Sequence, residues 1–104
     1  MQFAKFLRDG IRSGRIRCTV RVWTRLHVKV GGRYPTTDGG HVIVDAIETI
    51  TRDDVTDDLA RESGFPDAAA LMTKATHGPG DQIYLIRFHY LAPGAWDTRP
   101  KSEV

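Results

Sequence analysis

From Arg15 to Arg25 the chain alternates with a period of two: Arg15, Arg17, Thr19, Arg21, Trp23 and Arg25 fall on one side, and Ile16, Cys18, Val20 and Val22 on the other. Alternate residues of a strand share a face. This stretch therefore predicts a β-strand with an apolar inner face and a cationic outer one. A strand must find partners and a cover for its apolar side, so the rest of the chain is read for what can supply them.

Two further segments have strand character. His41 to Ile50 is rich in β-branched residues, and Gln82 to Leu91 sets Tyr84, Ile86, Phe88 and Tyr90 against Ile83, Leu85, Arg87, His89 and Leu91. The latter reads as a central strand. Val28 and Val30 add a short strand or extension before the Gly31-Gly32 turn, and Tyr34 to Gly40 reads as a loop. Helical spacing appears in residues 2–12, where Phe3, Phe6 and Leu7 share a face and Ser13-Gly14 ends the run. A second helix is expected to be capped by Thr51, to bury Val55, Leu59 and Ala60, to pair Asp57 with Arg61, and to stop at Gly64. A third starts near Asp67 and buries Ala68, Leu71, Met72 and Ala75, and residues 77–81 form a turn. The order of elements predicts an α+β domain: a small β-barrel or strongly curved mixed sheet, with flanking helices on one side. It occupies residues 1–92, and 93–104 form a Pro/Gly/charged C-terminal tail.

At 104 residues the chain has room for one core. No apolar run approaches the ~20 residues that cross a bilayer, so no membrane partner is expected. No signal-peptide pattern opens the chain, and the lone Cys18 can form no internal disulfide, which points to a cytoplasmic setting. The formal charge of +2 conceals a separation of sign: residues 1–33 carry nine Lys and Arg against Asp9 alone, and residues 34–81 carry ten Asp and Glu against three Lys and Arg. An anionic partner for the basic part follows as an expectation, RNA or a nucleotide foremost. The competing reading is that the two parts neutralise each other, within one chain or between subunits.

The candidate nucleic-acid-binding residues are Arg15, Arg17, Arg21, Trp23 and Arg25. Guanidinium groups bind phosphate bidentately and stack on bases, and an indole offers a platform for an unpaired base. Equally open is a solvated strand face with Trp23 packed under the N-terminal helix. Tyr84 and Tyr90 read as core or rim aromatics rather than base stackers. The four histidines lack ligand-like spacing and no second cysteine is present, so neither a metal nor a cofactor is expected.

The run Gly14-Arg-Ile-Arg-Cys-Thr-Val-Arg21 resembles the signature of the ASCH family, Gly-x-Lys-x-x-Thr-x-Arg, which follows an N-terminal helix; Gly14, Thr19 and Arg21 match it. The subsequent order is also similar: a Val/Gly turn, a long Ile/Val strand, a helix ending in Gly64-Phe65, and an aromatic strand from Ile83 to Leu91. The resemblance implies a PUA-like β-barrel and a link to RNA. Some relatives are amidohydrolases of N4-acetylcytidine and others cleave RNA; the resemblance would make Thr19 and Glu62 catalytic here. Ile16 stands where the family keeps its lysine. An isoleucine can neither accept a proton nor polarise a carbonyl, so the binding function is the first expectation and the hydrolase of a modified pyrimidine nucleoside the alternative.

Overall fold

The computed structural model describes residues 3–36, 38–76 and 80–93. A 3₁₀ turn at Lys5–Leu7 runs into helix α1, Arg8–Arg12. Four strands follow, β1 Cys18–Trp23, β2 Arg33–Pro35, β3 His41–Ile50 and, after the remaining helices, β4 Gln82–Leu91. Between β3 and β4 lie a 3₁₀ turn at Arg52–Asp54, helix α2 at Asp57–Glu62 and helix α3 at Ala68–Ala75. The strands form one curled, half-barrel sheet in the order β1-β4-β3-β2. All three pairings are antiparallel, where a mixed sheet was expected. Every strand that neighbours another runs back alongside it, so no parallel crossover arises.

β4 is central, as its apolar character on both faces at Leu85 and Ile86 requires. The register between β3 and β4 slips at Val44/Ala46, leaving Asp45 as an extra residue. Such a bulge bends its strand and increases the local twist, which helps to curl the sheet. Asp45 is turned out to solvent, where its carboxylate oxygens lie 2.9 and 3.0 Å from His89 Nδ1.

Helical segments cover both faces of the sheet, and the expectation of one covered side is corrected. Directly paired residues share a face. Cys18, Val20 and Leu85 pack against Val55, Leu59, Ala60 and Leu71 of the α2/α3 segment. On the opposite face Val42 and Phe88 pack against Leu7 and Ile11 of the N-terminal segment. The two covers bury residues on both faces of β4, Leu85 on one and Ile86 and Phe88 on the other.

Local details explain the remaining differences. Val28 and Val30 lie in a loop, with Val30 exposed, and the short strand is instead Arg33–Pro35, paired with His41–Ile43. Pro35 is tolerated because β2 is an edge strand. Thr51 and Asp54 form a reciprocal capping box, but around the 3₁₀ turn; α2 is capped by Thr56, whose Oγ1 accepts from Leu59 N at 3.1 Å. Arg61 pairs with Asp58 rather than Asp57. Asp57 instead accepts from Ala68 N at 2.9 Å and so ties α2 to the start of α3. Gly64 adopts φ +95°, where a Cβ would also run into Leu7 and Ile16. The turn expected at 77–81 lies largely outside the described residues, as does the tail beyond Pro93.

Candidate functional site

Among the described residues β1 is an edge strand: β4 takes one of its sides and no other strand pairs with it. Along its other side runs a cleft of about 440 Å³. All five consecutive residues from Thr19 to Trp23 line it. Side chains of a strand alternate between faces, so a lining of consecutive residues means that the cleft follows the strand's edge. Phe3, Ala4 and Leu7 form one wall, and Leu71, Lys74 and Ala75 of α3 form the other, with Phe65 also contributing. The cleft exists because the two covers of the sheet stand apart at the edge strand.

Thr19 is buried at 8% exposure, although its parity placed it on the outward row. Its face is the one beneath the N-terminal segment, and across the ladder it meets the fully buried Ile86. Arg21 is half-buried, where its head was expected to be well exposed. Its Nε donates to Thr19 Oγ1 at 3.0 Å, and its guanidinium carbon lies 5.1 Å from the centre of the Phe3 ring. The hydrogen bond and the ring together hold the planar fork in one orientation. Burial lowers the Arg21 pKa, yet a guanidinium stays charged at neutral pH. Part of the hydration of this cation is already gone, so an anion entering the cleft meets a charge that water screens poorly.

Trp23 is half-buried, 4.6 Å between ring centres from His27 in an edge-to-face contact and 6.1 Å from Tyr84. The indole lines the cleft, and its ring neighbours are His27 and Tyr84 rather than the N-terminal helix. Arg15, Arg17 and Arg25 are exposed and do not line the cleft. Arg17 Nε donates to Gly14 O at 3.1 Å, which folds its head back on the turn before β1. The row of five is thus divided into Arg21 and Trp23 inside the cleft and three arginines outside it.

Glu62 is exposed at the end of α2 and is not among the residues lining the cleft. Its charge acts instead on Cys18, whose thiol is pushed up chiefly by burial, while a 3.3 Å contact with Ser63 Oγ pulls it down. Ile16, at the position of the signature lysine, is buried with Leu7 and Ile11. It precedes β1, so the strand's alternation does not govern it. A lysine there would carry its ammonium into an apolar cluster rather than the cleft.

Lys74 was missed from the sequence. It lies three residues after the buried Leu71 on α3, which places it at the margin of the inward stripe and brings it to the cleft. The periodic signal for α3 was legible, but nothing local shows which strand its margin faces. Phe3, read as part of the apolar face of the first helix, also lines the cleft, as does Phe65. Arg21 and Lys74 are the only charged ones among the described residues in the lining, and both are cationic. Among the described residues no three His, Cys, Asp or Glu side chains gather as metal ligands, and no helix is long and apolar enough to cross a membrane.

No family model, curated protein or solved structure matches the chain.

Proposed function

We propose that this chain is an RNA- or nucleotide-binding domain of the ASCH kind, with a PUA-like sheet, and that its ligand enters the cleft along the free edge of β1. One observation carries the reading: a single cleft collects Thr19, Arg21 and Trp23 with Lys74, and among the described residues no carboxylate lines it. Each part matches a part of a nucleotide. Arg21 and Lys74 supply cations for phosphate, the first through an oriented fork and the second as a point charge. Phe3, Phe65 and Trp23 supply aromatic surface for a base, and the edge of β1, which no strand pairs among the described residues, offers backbone donors and acceptors to its polar rim. The exposed Arg15, Arg17 and Arg25 add to the positive field around the entrance without shaping the pocket.

The experiment is a titration with a fluorescein-labelled uridine octamer at increasing salt. Affinity falls steeply with salt, because each phosphate contact displaces condensed counterions. Arg21→Ala weakens binding by ~1–3 kcal/mol, the range of a charge-assisted contact. Equal binding by parent and Arg21→Ala, or binding indifferent to salt, refutes the proposal.

A further inference from the structure

The cleft opens onto a part of the sheet whose chemistry the single-nucleotide reading does not use. Arg21 pairs across the ladder with Tyr84, and Tyr84 pairs in turn with Thr49, so these three residues form one row over β1, β4 and β3. Directly paired residues share a face, and this is the face that carries Thr19 and Trp23. Towards β4's other end the N-terminal segment covers the face, with Phe3 5.4 Å between ring centres from Phe88. At the Tyr84 end the cover is thinner among the described residues: Thr49 is exposed, and Tyr84, Trp23 and Ile47 are half-buried. The rings of Trp23 and Tyr84 lie 6.1 Å apart at 45°, and exposed His27 stands edge-on to Trp23 at 4.6 Å. Arg21 and Trp23 belong to the cleft and to this face alike, which makes the two surfaces continuous.

We propose that this face is a second stacking subsite, and that the ligand is single-stranded RNA of two or more nucleotides, one in the cleft and the next stacked on Tyr84 beside Trp23. The inference rests on the nucleotide reading of the cleft. Aromatic side chains on an open sheet accept the flat faces of successive unpaired bases irrespective of their identity. A duplex hides those faces within its own stack. The charge fits the same occupant: Arg21 lies between the two subsites, exposed Arg25 follows Trp23 by two residues, and residues 1–33 have nine cations to one acid. A phosphate linking the two nucleotides would pass beside Arg21, the residue that the two surfaces share.

The test measures the labelled uridine octamer directly, and uridine monophosphate by its displacement of that octamer. Tyr84→Ala removes no charge, and it is expected to weaken the octamer roughly tenfold while leaving the monophosphate unchanged. Tyr84→Phe keeps the ring and should bind the octamer like the parent, which separates stacking from misfolding. An RNA duplex of the same length is expected to bind more weakly than the single strand. Octamer binding undiminished in Tyr84→Ala, or a duplex bound as tightly as the single strand, overturns the second subsite while leaving the cleft in place. A parent protein that binds neither probe overturns the cleft reading, and this inference falls with it.

Discussion

Thr19 shows how much a single position can say and where it stops. Its place in the signature-like run marked it as a site residue, and the cleft does contain it. Its chemistry is another matter. The hydroxyl oxygen accepts from Arg21 Nε at 3.0 Å, and a guanidinium cannot serve as a base. A threonine becomes a nucleophile when a base lies within hydrogen-bond reach, ~2.6–3.2 Å. Glu62 is exposed and stands outside the cleft, and Ile16 is locked into the apolar cluster with Leu7 and Ile11. N4-acetylcytidine incubated with the protein is therefore expected to stay intact, as followed by chromatography of the nucleoside. Turnover that disappears in Thr19→Ala would contradict this and would direct attention to Lys74, the amine in the same cleft.

Among the elements, the turn from β2 into β3 has the most distinct electrostatics. Asp38 accepts hydrogen bonds from Thr36 Oγ1, from Tyr90 OH at 2.6 Å and from Gly40 N at 3.0 Å, and so joins the turn to the far end of β4. The Thr36 and Tyr90 hydrogen bonds hold its carboxyl at about 2. Burial and the Asp38 hydrogen bond push Tyr90 up to about 12. A carboxyl lower in the folded than in the unfolded chain stabilises above its unfolded pKa and loses that contribution as pH falls towards 2. The tyrosine, raised in the fold, stabilises below its ordinary value of 10 and loses that contribution as pH rises towards 12. Tyr90→Phe should thus narrow the difference in urea midpoint between pH 6 and pH 3, with the mutant nearer the parent at the acid end. A constant offset at both pH values would show that the hydroxyl acts by packing alone.

At this same scale the sequence was most legible where a period persisted. The alternation through β1 and the β-branched run of β3 are long enough to outweigh local accidents, and α3 shows its stripe clearly. Tyr34 and Pro35 were read as the start of a loop running to Gly40, on its Pro, Thr, Asp and Gly residues; with Arg33 they form a strand because β3 offers an edge to pair with. The inner face of β1 was read correctly at Cys18 and Val20, whereas the outer row was taken as solvent-facing. Alternation separates two faces but cannot say that both will be covered. The N-terminal segment settled that point by burying Thr19 and half of Arg21, through contacts distant in sequence.

Across the whole molecule, the separation of charge acquires a location. The ion pairs Arg12–Asp9 and Arg61–Asp58 are each local to one helix, so they do not join the basic part to the acidic one. Arg21 of the basic part and Lys74 of the acidic part instead meet at one cleft, and the sign of that cleft was not evident in the count over either half. The central claim is that this edge of β1 is where RNA binds. The most direct measurement is a heteronuclear NMR titration of the isotopically labelled protein with the uridine octamer. The account predicts that the amides of Thr19 to Trp23 and those around Lys74 shift together, that the shifts fade as salt rises, and that Asp45 and His89 hardly move. Shifts centred on Asp45 and His89 with the β1 amides unmoved, or no shifts at all, would contradict it.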